Sequence, residues 1–312
     1  MGNKVAKVIV YIFLIVLALM CIFPFLLMLV NATRTGPEIA SGFTLIPGGS
    51  TLENMKVVFD YFNPFLGIFN SILVAVPATL LSAYFSALTA YGMAFYEFKG
   101  NKILFGIILV FMMIPSQLSL IGFFDLCTKL HLVNSYVPLI VPAIASAGTV
   151  FFLRQYITSA MPKALIEAAR MEGASEFYIF NRIVLPIVSP AVATMGIMGF
   201  IGNWNNYLLP MILISSPEKM TLPVMMATLR ASTNINANQG AIYLAVAISV
   251  VPILLVFACF SKYIISSVTA GAVKEYAVGK ALPVFKWAAL FAYFQILYYN
   301  NDHTTKRRRI YS

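Results

Sequence analysis

The sequence predicts an all-α membrane protein, a polytopic bundle of six transmembrane helices, and three observations carry that reading. Of the 312 residues 60% are hydrophobic, only 10% are charged, and the mean hydropathy is +0.86. A soluble chain carries about 25% charged residues, so most of this one must live in lipid. The apolar residues gather in six segments, each near the roughly 20 residues that cross a bilayer core. The basic residues crowd one alternate set of the loops between them.

The segments run from Val8 to Val30, Gly67 to Tyr91, Ile103 to Phe124, Tyr136 to Phe152, Ile187 to Ile214 and Ala241 to Phe260. No water is present in the bilayer core to satisfy free backbone groups, and nothing here alternates like a lipid-facing barrel strand, so each is expected to be a helix. The first segment has too long an apolar run for a signal peptide and lacks a small-residue cleavage site; it is expected to stay as the first span.

With a cytoplasmic N-terminus, 16 of the 21 basic residues fall inside. Lys99, Lys102, Arg154, Lys163, Arg170 and Arg182 are among them, as is the Lys306 to Arg309 cluster. Arg34, Lys56, Lys129, Lys219 and Arg230 fall outside. Positive residues mark the cytoplasmic side, so both termini and the loop between the fourth and fifth spans are expected there. The net charge of +10 does not point to nucleic acid, because the basic residues flank spans and form no aromatic-interleaved patch; anionic lipid headgroups account for them.

Several functions are argued against by what is missing. The six segments contain no Asp, Glu, Lys, Arg or His, whereas a proton-coupled carrier needs intramembrane ionisable groups. There is no phosphate-binding G-x-x-x-x-G-K-[ST] loop and no H-E-x-x-H pair, and the histidines are His131 and His303 alone. Cys21, Cys127 and Cys259 show no paired or metal spacing. The chain is therefore not expected to be an enzyme, or to hold a metal or cofactor of its own. A membrane-embedded enzyme or receptor would need a polar catalytic cluster or a large soluble domain, and the sequence offers neither.

Energy must then come from a partner, and residues 159–186 offer a handle. Pro162 suits a first helical turn, and Ala164 to Glu172 are good helix formers. Gly173 can take the left-handed conformation that ends a helix, and Ser175 can cap a second, short helix. Leu165, Ala168, Ala169 and Glu172 share one side of the first helix, where small alanines allow close approach to another surface. Pro186 marks the re-entry into lipid.

The order Glu167-Ala168-Ala169, Gly173, then Leu185-Pro186 resembles the EAA motif of the permease subunits of ATP-binding cassette importers. Further stretches resemble the carbohydrate branch of those permeases, and within it the six-span, maltose-importer type. They are Asn70-Ser71-Ile72-Leu73, Ala90-Tyr91-Gly92-Met93-Ala94, Met113-Ile114-Pro115-Ser116-Gln117, Phe151 to Tyr156 and Trp204 to Pro210. The likeness covers Val8 to Lys274, and Thr269 to Lys274 looks like that family's C-terminal ending. Glu172 stands where the family usually carries Asp; the charge is kept.

That resemblance implies a permease domain over residues 1–274 in a bacterial plasma membrane, and a machine around it. Its other parts are a second, non-identical permease, two cytoplasmic ATPases that bind the ATP, and an extracytoplasmic solute-binding protein. The 167–173 loop is then the one that sits in a cleft of an ATPase. Glu167 is expected to make a charged contact there, and Gly173 to permit the bend. The expected cargo is a sugar or oligosaccharide, with glycerol phosphate or an amino compound as the neighbouring alternative.

The fifth segment offers a solute path. Gly196, Gly199 and Gly202 recur as at close helix contacts, and Asn203, Trp204, Asn205, Asn206 and Tyr207 follow. Amides and aromatic faces suit a neutral polyhydroxylated solute, and Gln117 in the third segment is a further candidate on the same logic. Amides in spans also serve as interhelical glue, so both readings stay open. Residues 275–312 form an extension in which Val284 to Tyr299 is apolar but short and interrupted by Lys286. Trp287 and Tyr293 suit an interfacial segment, and a disordered tail is the other reading.

Overall fold

A computed structural model describes residues 2–231 and 238–277, the side chains of 2–4, 116 and 262–277 excepted. Every regular element among the described residues is helical. Among the described residues five helical stretches are long and apolar enough to cross a membrane, and a bent pair of helices makes a sixth if the two are one broken span. The extension beyond Ala277 and most of the loop before the sixth span lie outside the described residues.

The helices are longer than their apolar cores, because a helix need not stop where lipid stops. The first runs Gly2–Asn31 and the second Pro64–Phe95. The fourth apolar stretch, Val137–Ala160, ends eight residues beyond the expected Phe152, and the sixth helix runs Gln239–Ala277. As a result Arg154, Glu176 and Arg182 lie within helices, although the apolar segments themselves are free of charge.

Two spans differ from expectation in shape. The third was expected unbroken from Ile103 to Phe124, but the helix Asn101–Met113 stops and Leu120–Lys129 follows after a 3₁₀ turn at Ser116–Ser119, with a bend of 87°. Pro115 is the cause. It pushes the preceding residue out of helical geometry, and Ile114 is extended at φ −79°, ψ 121°.

The fifth span was expected over Ile187 to Ile214; its helix instead runs Glu176–Asn205, and Leu208–Leu213 is a separate short helix. The helix passes through Pro186 without stopping. A π turn at Phe180–Val184, closed by the Leu185 N–H on the Phe180 carbonyl, widens the ladder where the proline ring would otherwise meet the Arg182 carbonyl.

Contacts divide the chain into two units, the first made of residues 1–78, 116–142 and 200–255. Its apolar centre is Val74, Cys127, Leu139, Leu213 and Ile214. Polar clamps tie loops to helices around it. Asn70, 4% exposed, donates both amide hydrogens, to the Glu218 carbonyl at 2.8 Å and the Met220 carbonyl at 2.9 Å. The neighbouring Ser71 Oγ accepts the Leu222 N–H at 2.9 Å, so the Asn70-Ser71 pair fastens this loop to the second helix. Asn134, at φ +60°, accepts the Ser216 N–H at 3.1 Å and donates to Ser216 Oγ at 2.7 Å. Asn54 donates to the Ala32 and Arg34 carbonyls at 2.9 and 3.0 Å. Gly240 packs so tightly there that an added Cβ would lie 2.0 Å from the Arg34 carbonyl oxygen.

The second unit holds residues 79–115 and 143–199, with the described residues from Val256. Its core joins Ala87, Ala90 and Tyr91 of the second helix to Leu153 and Ile157 of the fourth. Ile179, Phe180, Val184, Val188 and Ala191 of the fifth complete it, and Ile166 and Ala169 of the intervening loop dock onto it. Arg154 lays its guanidinium 4.0 Å over the Phe105 ring, which itself stacks on Phe151. This second core is what positions the candidate coupling loop.

Candidate functional site

The loop between the fourth and fifth spans is a helix, Lys163–Met171, closed by a glycine turn. Pro162 is not in its first turn as expected but one residue before it, at φ −67° and ψ 131°. The Gly173 N–H bonds the Arg170 carbonyl at 3.0 Å, and the Ala174 N–H bonds the Ala169 carbonyl at 3.1 Å. That pair of bonds is the Schellman closure, and it requires the left-handed residue found at Gly173, φ +80°. Ser175 then caps the next helix by accepting the Tyr178 N–H. The expected second short helix is not separate; it is the head of the fifth span.

Nine residues are too few for a stable helix in isolation, so burial must hold this one. Ile166 and Ala169 supply it, both buried in the second core. The expected outward face is corrected in one residue, because Ala169 points inward while Leu165, Ala168 and Glu172 stay exposed. Glu167 is exposed too and belongs to neither ion pair found among the described residues. Met171, Phe177 and Tyr178 are exposed beside it, Met171 at 88%. Leu185 packs partly buried against the core and Pro186 is exposed. The loop thus presents large apolar side chains and a carboxylate outside both ion pairs on its exposed side.

A polar cluster under this loop was missed from sequence. The Arg170 Nε donates to Glu176 Oε1 at 2.6 Å, and the Tyr91 hydroxyl donates to Glu176 Oε2 at 2.6 Å. The guanidinium also lies 5.2 Å from the Tyr96 ring centre. The hydrogen bond it donates to Glu176 holds Arg170 still more firmly in its charged form. Beside the cluster is a cavity of about 360 Å³, lined by Phe95, Tyr96, Glu97, Lys163, Glu167 and Arg170 among others. The only hint in the sequence was a tyrosine inside an apolar segment, which has no stated partner until the fold brings Glu176 to it.

The candidate solute-path residues scatter more widely. Trp204 is 2% exposed, stacks on Phe200 and gives its Nε1–H to the Ser249 carbonyl at 3.1 Å, so its polar group is already used. Asn205, Asn206 and Tyr207 are exposed at and just past the end of the fifth helix, and Asn203 is half-buried. Trp204, Asn205 and Tyr207 line a cavity of about 680 Å³ with Pro223, Met226, Arg230 and Ser249. Gln117 is exposed in the turn that breaks the third span. The glycines expected at close contacts are open: a Cβ at Gly196 or Gly202 would meet nothing within 4 Å, and one at Gly199 only a Thr79 methyl at 3.9 Å.

Residues 83–270 match the family described as the inner membrane component of binding-protein-dependent transport systems. This chain belongs to that family. It is similar to the arabinooligosaccharides transport system permease protein AraQ of Bacillus subtilis (strain 168), with 33% identity over 281 residues, 87% of this chain and 97% of that one. The trehalose/maltose transport system permease protein MalG of Thermococcus litoralis is 33% identical over 267 residues, 83% of this chain and 94% of that one. The diacetylchitobiose uptake system permease protein NgcG of Streptomyces coelicolor is 31% identical over 260 residues, 83% and 86% of the two chains. Among solved structures, a chain of a bacterial ABC transporter involved in the import of the acidic polysaccharide alginate superposes with a TM-score of 0.71. It is 22% identical, and the match covers 84% of this chain and 98% of that one, which establishes the shared fold. The family's members are multi-pass membrane transport components, and the matched region contains the whole 163–186 loop and the Tyr91–Arg170–Glu176 cluster.

Proposed function

We propose that this chain is the permease subunit of an ATP-driven importer for a sugar or oligosaccharide. It forms the translocation path with a second permease, receives solute from an extracytoplasmic binding protein, and is driven by two ATPases that bind ATP in trans. The observation that carries this reading is the 163–186 loop: a short helix with an apolar inner face, an exposed outer face bearing Glu167, and a left-handed closure at Gly173. The distribution of basic residues supports a cytoplasmic position for that loop and for both termini, which is where an ATPase can reach it. Closure of the ATPase pair would push the loop and tilt the spans, a rigid-body transition of the hinge type. The saccharide assignment draws support from relatives named for arabinooligosaccharide, diacetylchitobiose and trehalose/maltose transport and from apolar segments that carry no charge.

The test is reconstitution of this chain with its second permease, its ATPase and its binding protein in lipid vesicles. ATP-dependent, binding-protein-dependent uptake of an oligosaccharide is expected. Glu167→Ala should insert normally, yet lose both ATPase co-purification and uptake, since it deletes the free carboxylate of the docking face. Unchanged co-purification and unchanged uptake in that variant would refute the coupling role of the loop.

A further inference from the structure

We infer that Glu176 and Arg170 are positioning residues that lock the loop helix to the second span and to the head of the fifth, so that solute moved per ATP depends on their ion pair. This rests on the coupling role proposed above. Three elements meet on one carboxylate: Arg170 comes from the loop helix, Tyr91 from the second span, and Glu176 itself opens the fifth. Each carboxylate oxygen has its own donor at 2.6 Å, short for such bonds and typical of charge-assisted ones. Tyr91 is buried, so its hydroxyl has no ready exchange with water.

Without this joint the loop helix would rest on two buried side chains, Ile166 and Ala169. The glycine turn that follows it is a natural place to yield, because Gly173 alone in that turn adopts positive φ. A push on the exposed face would then be absorbed by rotation at the turn. With the joint intact, the helix cannot swing without dragging Tyr91 and the second span along. The sequence motif around Tyr91 acquires a purpose that its apolar surroundings do not suggest.

A purely local role for Glu176 is the competing account, since a carboxylate in a first helical turn also complements the helix dipole. Three variants separate the two: Tyr91→Phe, Glu176→Gln, and the exchange Arg170→Glu with Glu176→Arg. Each is assembled with the second permease, the ATPase and the binding protein in vesicles, and ATP hydrolysis and solute uptake are measured together. Hydrogen exchange of the Leu165 to Met171 amides is measured on the same complexes. In Tyr91→Phe and Glu176→Gln, uptake per ATP should fall about fivefold or more, the factor one net hydrogen bond represents, and loop-helix exchange should quicken by a similar factor. ATPase binding should persist. The double exchange restores the ion pair, though not the Tyr91 bond because a guanidinium offers no acceptor, while placing a cation at a helix N-terminus. With Arg170→Glu alone as its reference, uptake per ATP well above that reference supports the joint, and uptake no better than it supports the dipole account and overturns the joint. Unchanged uptake per ATP in the single variants overturns it too, even if exchange quickens. A wild-type complex that hydrolyses ATP without uptake would instead sink the transport reading, and the coupling role with it, while exchange would still report whether the helix is anchored.

Discussion

Substitution of Gly173 separates torsion from packing in the coupling turn. The residue sits at φ +80°, and a Cβ built on it meets nothing within 4 Å, so steric crowding plays no part. What remains is the cost of a left-handed backbone for an L-residue, about 1–2 kcal/mol. Gly173→Ala should therefore raise the opening equilibrium of the turn by about 5- to 30-fold. Gly173→Asn should cost less, because a short polar side chain tolerates this region. Gly173→Pro should cost of order 3 kcal/mol or more. It fixes φ near the opposite sign and removes the N–H that bonds the Arg170 carbonyl at 3.0 Å. Hydrogen exchange across Met171 to Ser175 in the purified complex reads these equilibria, and uptake per assembled complex reads their consequence. The expected order of protection is Gly, Asn, Ala, Pro, with the proline variant inserted but uncoupled from its ATPase. If Ala and Pro protect this segment as well as glycine does, the turn does not depend on positive φ and the argument fails.

Three further outcomes follow from other parts of the molecule. Asn70→Asp replaces two donated hydrogens with acceptors facing two carbonyls; it should cost about 1–3 kcal/mol and speed proteolysis at Ser216 to Leu222, and unchanged cleavage would refute the clamp. Asn205→Leu and Asn206→Leu, both at exposed positions, should cut uptake per assembled complex several-fold without loss of yield; uptake near wild type in both would remove these amides from the solute path. A reporter fused after Lys274 should be cytoplasmic and one in the Thr233 to Gln239 loop exported, and the reverse pattern would overturn the orientation.

The parts of this fold that were legible from sequence are those set by local rules. Apolar run length located five long spans and the bent pair at the third segment, and the left-handed preference of glycine located the end of the loop helix at Gly173. Ser175 as a cap was legible for the same reason. Errors arose wherever backbone geometry overrode composition. Apolar continuity across Ile114 and Pro115 concealed the 87° break, and the run from Ile187 to Ile214 concealed a helix that starts at Glu176 and ends at Asn205. Small residues were read as contact surfaces, but which way they face is a tertiary matter. Ala169 turned inward, and the Cβ positions of Gly196 and Gly202 face open space among the described residues. Trp204 shows the same limit: its indole N–H suits a sugar hydroxyl as well as a backbone carbonyl, and only the fold gives it to Ser249. The Arg170–Glu176 joint was illegible because its third member lies 85 residues upstream.

That separation has a bearing on how the protein is made. Tyr91 leaves the ribosome 85 residues before Glu176, and by then the third and fourth spans have also been synthesised. Through that interval the tyrosine hydroxyl waits in an apolar setting for an acceptor that does not yet exist. Arg170 arrives six positions ahead of its carboxylate. The loop helix, too short to persist unaided, sets into shape only once the start of the fifth span has emerged and closed the joint. An ATPase that docks on the finished loop, as proposed above, would thereby find no such surface on a half-translated permease, and the order of assembly would follow from the distance between two residues.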